Sequence, residues 1–564
     1  MREQGGLAVS ATVPDTIHEV LLGRIGRLRP EDKQVIEIAA VVGKDVSYPI
    51  VEAVAGIGEN ELRAAFTRLK AAEFLQETSS GPDIEYAFKH VLTHEVAYDN
   101  VPPERRRILH ARIVEAIEAL YPDRLGLHTD RLAHHAYRGE VWDKAVEYLR
   151  RSGRRALFAS ATGQAVEIFE RALVALRWLP QAPETLHKSI ALRLNLRDAL
   201  WSLGHVGKIH DQLVEAEAMA QRLGDQRGLA TVACYLCHYF WAVGELDAAL
   251  QAGERALTIA GSVGDVLLLA ETDLYRGVVF LAQGDSDRTA QILQRVLLEL
   301  EALAMGKPSP GNRARAIQLL VRCFLTRALA ELGRFEEGIA CGEECLRLAE
   351  QSGTAFGLAT ALAGLGSLYL RNAQPHSAIP LLERGLEVCR NYSINNWLPT
   401  IGASLGAAYA VTGRANEGGR LLEQAVDLGT RMGILATLSL WRMYLGDAYF
   451  RAGRVAEALE EARGALALCR ARGEHGYEAW ALHLLGRIAA SQESLDPAEA
   501  RTNYLGALNL AERFGMRPLV VRSVLGLARL HGNAGDSTMA SAYRERAVHV
   551  AAEMGLELAL LETS

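Results

Sequence analysis

The residues best suited to metal chemistry are His90, His94 and Glu95, with His110 as a further candidate. Histidines four positions apart lie on one face of a helix, as zinc ligands often do. The metalloprotease order His-Glu-x-x-His is not present, because here the glutamate follows the second histidine. We therefore expect an ordered polar cluster at this place, and we assign no metal ligand.

Cys234 and Cys237 form a lone Cys-x-x-Cys pair. Such a pair binds metal or undergoes redox chemistry when a second pair or a βαβ context accompanies it, and neither is present here. We expect both cysteines to pack as small residues. The chain has 7 cysteines, an odd number that does not suggest a disulfide framework, and no signal segment opens it. These observations favour a reducing, cytoplasmic compartment.

The motif for nucleotide phosphates is missing. A phosphate-binding loop needs Gly-x-x-x-x-Gly-Lys-Ser/Thr, and Gly43-Lys44-Asp45 lacks both the upstream glycine and the hydroxyl. The sequence contains no cyclase metal-binding segment. We predict that this chain is not an enzyme, with no catalytic residue and no cofactor.

The overall charge argues against binding nucleic acid along the whole chain. There are 61 Lys and Arg against 68 Asp and Glu, a net charge of −7. In the segment 59–73, three basic residues alternate with three glutamates, so the charges nearly cancel. Arg105–Arg107 and the arginines of 150–155 are better basic patches, but a solvated face or contact with a neighbouring acidic domain explains them better than DNA does.

A period of 40 residues dominates the chain. Turn glycines fall at Gly204, Gly244 and Gly284, and the motif Leu-Gly-x-x-Tyr recurs at 365, 405 and 445, ahead of Ala373, Gly413 and Gly453. The longer step from Gly284 to Gly333 coincides with a loop predicted at 306–316. Between the turns the apolar residues recur every three or four positions, which is the helical period. Each unit is therefore a helical hairpin.

A second glycine is predicted to end each unit in the left-handed conformation, at Gly224, Gly264, Gly353, Gly433, Gly473, Gly515 and Gly555. The pattern resembles the tetratricopeptide repeat, although the units are 40 rather than 34 residues long. Stacked hairpins bury their apolar faces against their neighbours. About ten units are expected, and they explain the uncharged spans 351–370 and 391–413 better than a membrane does.

The first 120 residues follow a different pattern. Helices are predicted over 17–28, 30–42, 48–55 and 59–73, and a β-hairpin over 74–77 and 84–88 with a turn at 79–82. Three of these helices together with the hairpin predict a winged helix.

The same segment carries a likeness to a known family. Its motifs are Pro14-Asp15-Thr16-Ile17, then Tyr86-x-Phe88-Lys89-His90, then Thr93-His94-Glu95-Val96-Ala97-Tyr98. These resemble the winged-helix region of bacterial signal-transduction ATPases of the STAND or AAA type, especially those fused to class III adenylate or guanylate cyclase domains. The resemblance implies that the chain is the C-terminal half of such an architecture, as a separate gene product or a fragment.

The predicted fold class is mainly α, a winged-helix domain followed by an α-solenoid. We predict a leader at 1–12, a winged-helix domain with a linking helix at 13–120, a first set of repeats at 121–305, the loop at 306–316 and a second set of repeats at 317–564.

Function is expected in the concave groove of the solenoid. Counting back from each turn glycine as in tetratricopeptide repeats selects nine polar or aromatic residues: Asp198, Trp201, His238, Trp241, Arg327, Glu331, Arg371, Asp447 and Arg451. They are expected to bind a protein partner, a peptide or a small effector. The alternative is that several of them pair with one another between adjacent repeats.

The predicted function is a non-catalytic sensor and protein-interaction segment of a signalling protein. In this hypothesis the superhelix binds its partner or effector, and the winged helix relays that occupancy to an ATPase or cyclase module in the same or another chain. One alternative is a DNA-binding transcriptional regulator that uses the winged helix. Another is a fragment of a cyclase whose catalytic domain is encoded upstream.

Overall fold

The structure is a computed structural model, and it describes residues 15–79, 84–304, 311–491 and 496–556. The predicted leader at 1–12, most of the turn at 79–82, positions 306–310 of the predicted loop and the unit centre near Glu493 lie outside these residues. The chain divides into two compact units. The first runs to Arg155 and includes Glu167–Thr185, and the second comprises Ala156–Val166 and the chain from Leu186 onward.

The described residues are almost entirely helical. The α-helices are α1 (Asp15–Gly26), α2 (Pro30–Val42), α3 (Tyr48–Ala55), α4 (Glu59–Ala71), α5 (Val91–Asp99), α6 (Pro103–Leu120), α7 (Thr129–Arg138), α8 (Trp142–Phe158), α9 (Thr162–Leu176), α10 (Pro183–Leu203), α11 (Ile209–Leu223), α12 (Gln226–Ala242), α13 (Leu246–Val263), α14 (Val266–Gln283), α15 (Ser286–Ala304), α16 (Asn312–Glu331), α17 (Phe335–Ser352), α18 (Ala355–Arg371), α19 (Pro375–Asn391), α20 (Leu398–Val411), α21 (Ala415–Met432), α22 (Leu438–Arg451), α23 (Val455–Arg472), α24 (His475–Ala489), α25 (Pro497–Arg513), α26 (Arg517–Asn533) and α27 (Ser537–Glu553).

The first unit contains the described strands, β1 (Asp45–Ser47), β2 (Leu75–Ser79) and β3 (Glu85–Phe88). They form one antiparallel sheet in the order β1-β3-β2, with Val46 opposite Tyr86 and Leu75 opposite Phe88. The predicted helices and hairpin are confirmed, with ends that differ by a few residues. The sequence analysis missed β1 because three residues are too few to display an alternating pattern.

From α10 to α27 the helices pair into nine successive hairpins. The even-numbered helix of each pair packs against the even-numbered helix of the next, so both of its faces are covered. The second glycines predicted to end the units all have positive φ, and so do the turn glycines from Gly204 to Gly453. Ala373 occupies a turn position with φ 54°. It is one of the few described non-glycine residues that have a positive φ. Part of the predicted loop is helical, because α16 begins at Asn312.

The hairpins of the second unit wind tightly enough for distant repeats to touch. The backbone amide of Leu435 donates to the carbonyl of Ala242 over 2.7 Å. The side-chain amide of Asn395 donates to the carbonyl of Leu203 over 3.2 Å. Four turns separate the repeats in each contact: those at 284, 333, 373 and 413 between Ala242 and Leu435, and those at 244, 284, 333 and 373 between Leu203 and Asn395. The even-numbered helices therefore surround an interior that later repeats close off.

The described chain contains no helix that is both long enough and apolar enough to cross a bilayer. The two uncharged spans fall largely within α18 and α20. Both are inner helices of the repeat stack, where neighbouring helices cover nearly every side chain. Their lack of charge follows from burial within the protein.

Candidate functional site

The nine groove residues selected from the sequence all lie on inner helices, which are α10, α12, α16, α18 and α22. The structure brings them together in two groups. Asp198, Trp201, His238 and Trp241 form the first group, and Arg327, Glu331, Arg371, Asp447 and Arg451 form the second.

Aromatic side chains fill the interior around the first group. The rings of Trp201 and His238 lie 4.2 Å apart, and Tyr275 stacks on the other side of His238 at 4.3 Å. The ring centroid of Phe324 lies 6.4 Å from that of Trp241 and also 6.4 Å from that of Trp397. We call these six residues the aromatic ladder: Trp201, His238, Trp241, Tyr275, Phe324 and Trp397. Rings packed in this way leave little space for a ligand.

Polar groups beside the ladder pair with one another. Arg197 donates to Nδ1 of His238, pairs with Asp198 at 3.0 Å and covers the ring of Tyr235. Burial, together with the nearby Arg197, holds the pKa of His238 well below its usual value, so this imidazole is neutral. The first group therefore functions as packing, as the sequence analysis allowed for some of the residues.

In the second group, Glu331 and Arg371 form an ion pair between adjacent repeats. Their closest atoms are 2.6 Å apart, and the side chains are 14% and 9% exposed. Burial opposes the charge of Arg371, but Glu331 outweighs it and raises the pKa of the guanidinium. Glu331 also accepts a 3.1 Å hydrogen bond from Nε1 of Trp480, which belongs to a repeat 149 residues further along. This pairing between repeats is the alternative that the sequence had left open.

Arg371 stands between two hollows. On one side, with Arg327, Glu331 and Tyr477, it lines a cavity of only about 40 Å³. On the other side it lines a cavity of about 260 Å³ between α18, α20, α22, α24 and α26. We call the larger hollow the arginine cavity, because four of its lining residues are Arg371, Arg451, Arg487 and Arg522. Its volume is many times the roughly 15 Å³ that one water molecule requires.

One carboxylate lies within the wall of the arginine cavity. Asp447 accepts from Arg451 at 2.9 Å and from Arg487 at 2.6 Å. Burial disfavours its charge, but the two guanidiniums outweigh that effect and lower the pKa of Asp447 to about 2. The apolar part of the wall includes Trp480, Met443 and Leu484. The cavity thus combines a charged end with an apolar surface, which is typical of a small-molecule site.

The sequence analysis missed Trp480, Arg487 and Arg522. Arg522 lies 13 residues before Gly535, one of the offsets used for the groove. Trp480 and Arg487 stand 13 and 6 residues before position 493, where the 40-residue period places the next turn. The sequence already predicts unit centres near Glu493 and Gly535, and the groove offsets counted back from these two positions select all three residues.

The predicted polar cluster in the first unit takes a different form. Nε2 of His94 bonds the carbonyl of Ala40 at 2.9 Å, and the structure groups His110 with His134 and His135 instead of His90, His94 and Glu95. Within the described chain these three histidines are the residues that could hold a metal. Nδ1 of His110 and Nδ1 of His135 lie 2.8 Å apart. That is a hydrogen-bond distance, and it is shorter than the separation of about 3.3 Å between nitrogens on a tetrahedral zinc.

Hydrogen bonds also account for this histidine cluster without a metal. Tyr98 lies 3.1 Å from Nε2 of His110, so its hydroxyl can donate there while Nδ1–H of His110 donates to His135. His135 in turn bonds the backbone of Val42. Burial lowers the pKa of His110 to about 3, which keeps the ring neutral as this network requires. The cluster ties α2, α5, α6 and α7 together.

The Cys234 and Cys237 side chains are fully buried on α12. Burial raises the pKa of Cys237 to about 12 and that of Cys234 well above its usual value, so neither thiol ionises near neutral pH. Their environment is that of packed core residues.

The basic residues considered for DNA binding have acidic partners. On α4, Arg63 pairs with Glu59, Arg68 with Asp32 and Lys70 with Glu77. The patch Arg105–Arg107 is neutralised in the same way by Glu37, Asp99 and Glu104. Arg151 and Arg155 pair with Glu147 and Asp130. Such internal pairing leaves little positive charge for a phosphate backbone.

Comparison with known proteins identifies the repeats. A family model for the tetratricopeptide repeat matches residues 320–391 and 436–501. The solenoid is built of tetratricopeptide-type repeats. Both walls of the arginine cavity contain matched segments, because α18 falls in the first and α22 and α24 fall in the second.

One curated relative and two solved structures are similar to parts of the chain. An uncharacterized protein of Rhizobium meliloti (strain 1021) is 29% identical over 160 residues, which are 28% of this chain and 15% of that protein's length. A Rap protein in complex with Competence and Sporulation Factor is 14% identical, covering 66% of this chain and 98% of its own, at a TM-score of 0.49. A STAND protein with a tetratricopeptide repeat sensor from Pyrococcus horikoshii is 10% identical, covering 98% and 67%, at a TM-score of 0.36.

Proposed function

We propose that this chain is a non-catalytic sensor segment of a signalling protein, in which the tetratricopeptide repeats bind an effector inside the superhelix. The observation that carries the proposal is the arginine cavity. Arg371, Asp447 and Arg451, selected from the sequence as binding residues, line this hollow of about 260 Å³. Protein interiors rarely leave such a space empty unless a ligand uses it.

The first unit supplies the relay in this proposal. Its helices and three-stranded sheet have the element order of a winged helix, and the sequence motifs between Pro14 and Tyr98 resemble those of signal-transduction ATPases. We propose that it passes effector occupancy to an ATPase or cyclase module, in this polypeptide or in a partner. Such a relay requires an effector that binds one arrangement of the protein more tightly than another.

DNA binding by the winged helix is the weaker alternative. The ion pairs of Arg63, Arg68 and Lys70 would have to break before these side chains could reach phosphates. No observation on the described residues favours this role over the relay. A gel-shift at low salt tests it directly, and a salt-dependent shift would revive it.

The binding proposal is tested by filling the cavity. Ala407 lines the hollow from α20 and is 7% exposed, so Ala407→Phe occupies the space with a ring. The full-length chain, the filled variant and a control are each exposed to a bacterial extract of peptides and small molecules, re-isolated and weighed by native mass spectrometry. The control Leu298→Phe adds a ring at a surface position that is 67% exposed.

We expect the parent chain and Leu298→Phe to retain a bound species that Ala407→Phe has lost. A bound species retained equally by all three chains would refute the cavity as the site, as would the absence of any bound species. Circular dichroism of Ala407→Phe verifies that the variant is folded.

The relay is tested by hydrogen exchange on the same samples. Effector binding is expected to change the exchange rates of amides in α2–α6 as well as those around the cavity. Unchanged exchange in the first unit, with protection confined to the repeats, would refute the relay while leaving the binding proposal intact.

A further inference from the structure

Early and late repeats of the second unit meet along a line of backbone contacts, which we call the seam. It joins the turns near Ala242 and Gly284 to the later residues 435–436 and Gly476. Both amides of 435–436 donate to the carbonyl of Ala242, at 2.7 and 3.1 Å. The turn at Gly284 lies so close to Gly476 that an added Cβ would be 2.6 Å from the nitrogen of Gly476. A hydrogen bond is lost when its atoms separate by roughly 1 Å, so a small movement would open the seam.

Glu474 belongs to the late side of the seam, in the turn before α24. Its side chain is fully buried, and one carboxyl oxygen accepts a hydrogen bond from the hydroxyl of Ser439 on α22. The other oxygen, Oε1, has no hydrogen-bond partner among the described residues. Arg472, two residues earlier, donates to the carbonyl of Leu435 at 2.7 Å. The carboxyl group is therefore part of the segment that carries the seam contacts.

The groups around Glu474 give its charge little support. Those on α23 and α24 that can titrate or carry charge are Cys469, Arg472, His475, Tyr477 and Glu478. On the early side of the seam the charged residues beside the turn glycines are Glu245 and Asp285, which are both acidic.

Burial has the largest influence on the carboxyl group of Glu474. The hydroxyl of Ser439 and the cation of Arg472 oppose it only in part, so the pKa rises to about 7. Near neutral pH the group is thus divided between its protonated and ionised forms.

A closed seam and an ionised Glu474 are poorly compatible. A buried carboxylate oxygen without a hydrogen-bond partner has lost the hydration that it would have in water. Separation of the two sides of the seam would admit water to this oxygen and restore that hydration. The neutral carboxyl group is much easier to bury, so protonation favours the closed arrangement.

The seam also closes part of the interior. The smaller cavity, of about 40 Å³, is lined by Gly284 from the early side and by Gly476 and Tyr477 from the late side. It shares Arg371 and Tyr444 with the arginine cavity. Opening of the seam would expose the smaller cavity to solvent, next to the wall that the two cavities share.

We infer that Glu474 is a pH-sensitive switch for the seam, which is closed when the carboxyl group is neutral and opens when it is ionised. The switch goes beyond the proposed function and operates in the chain without an effector. Because the pKa is raised in the closed state, the stabilisation of the seam is complete below about pH 4.5 and is lost above about pH 7. The side chain thereby links the surrounding pH to access to the interior.

The test is hydrogen exchange of the seam amides in the full chain. Exchange at 435–436 requires loss of the bonds to Ala242, and mass spectrometry of the peptide 432–438 measures it from pH 5 to pH 8. Each rate is divided by the intrinsic rate of an unprotected amide at that pH. We expect protection to decrease at least about tenfold over this range, because a change of the carboxyl pKa from about 7 to 4.5 on opening permits a shift of up to about 300-fold.

The carboxyl group is tested by Glu474→Gln, which keeps the size of the side chain and cannot ionise. Its seam protection is expected to be independent of pH and to exceed that of the parent at least about tenfold at pH 8. The matched control is Glu457→Gln, because Glu457 is exposed on α23 and pairs with Arg454. This variant should follow the parent at every pH.

Low concentrations of urea separate a local opening from unfolding of the whole chain. Urea accelerates exchange in proportion to the surface that becomes exposed, so the opening of a few contacts responds little. At pH 8 the peptide 432–438 should respond less to urea than a peptide from α18. An equal response of the two peptides would overturn the inference, and so would a parent chain whose seam protection equals that of Glu474→Gln at every pH. Either result leaves the effector site to its own test with Ala407→Phe.

Discussion

The two parts of the superhelix interior place their groove residues in different surroundings. Around α10–α16, the aromatic ladder fills the space, and Arg197 pairs with Asp198 and His238. Between α18 and α26, groove residues line a cavity of about 260 Å³, and four of the lining residues are arginines. A residue facing the groove therefore belongs to the proposed binding site only where its neighbours leave space.

Backbone geometry is shared by the two parts, so side-chain identity makes the difference. Trp201 and Trp241 stand three residues before their turn glycines, and in later repeats the offsets of two and six carry Arg371, Asp447 and Arg451. Large rings pack together and exclude water. In the second part, Arg451 and Arg487 pair with Asp447 in the wall of the arginine cavity. The contrast can be broken or sharpened by three substitutions, from the largest expected effect to the smallest.

Removing a ring from the ladder should have the largest effect. Trp241 is 9% exposed and contacts Trp201, His238 and Phe324. Trp241→Ala is expected to lower the free energy of unfolding by about 3–5 kcal/mol, because it leaves a cavity in a packed region. Urea denaturation measures the loss, and Leu298→Ala at an exposed position is the control. A loss below about 1 kcal/mol would show that the ladder is not packing.

The two interior regions also differ in how they hold buried carboxylates. Glu271, in the filled part, pairs with Arg313 at 2.6 Å. Glu474, at the start of α24, is fully buried and accepts a hydrogen bond from Ser439, while its other oxygen has no hydrogen-bond partner. Burial therefore raises the pKa of Glu474 to about 7.

A raised carboxyl pKa means that the folded state holds this proton more tightly than the unfolded state does. The contribution to stability is complete below about pH 4.5, decreases as the pH rises, and is lost above about pH 7. Glu474→Gln removes this dependence and should stabilise the protein by roughly 3 kcal/mol at pH 8. Denaturation of both proteins at pH 5 and pH 8 measures it. Parallel pH profiles would show that Glu474 is ionised at little cost.

The contact that joins the two regions is tested at a turn glycine. A Cβ on Gly284 would lie 2.6 Å from the backbone nitrogen of Gly476, whereas one on Gly413 would meet nothing within 4 Å. The φ angles are nearly equal, at 94° and 88°, so Gly284→Ala and Gly413→Ala share the cost of a left-handed backbone. We expect Gly284→Ala to lower the free energy of unfolding, measured by urea denaturation, by about 1–2 kcal/mol more than Gly413→Ala does. Equal losses would show that the repeats do not touch there.

Much of the architecture followed from the sequence because each repeat determines its own shape. The 40-residue period, the glycines at both turns and the three-four spacing of apolar residues predicted the hairpins, and the predicted left-handed glycines are confirmed. The offsets also placed the nine groove residues on inner helices. The same offsets, counted back from the predicted unit centres near Glu493 and Gly535, also select the cavity residues Trp480, Arg487 and Arg522.

The partners of the groove residues could not be predicted. The metal candidates His90 and His94 are close in sequence, yet His110 meets His134 and His135, because α6 packs against α7. Similarly, Glu331 meets Trp480 only because the superhelix brings together repeats 149 residues apart. Such contacts depend on the small rotation between successive hairpins, which accumulates over several repeats and leaves no local trace.

By itself, the sequence determined the helical hairpin, its period and the face of each hairpin that turns inward, because turn chemistry and apolar spacing act within a few residues. Only the tertiary structure decided which inward-facing residues fill the interior and which surround a cavity. That outcome depends on side-chain volumes and charges that meet across the turns of the superhelix. Trp241 and Arg371 were equivalent as groove residues in the sequence, and their neighbours in space made one a packing residue and the other part of the proposed binding site.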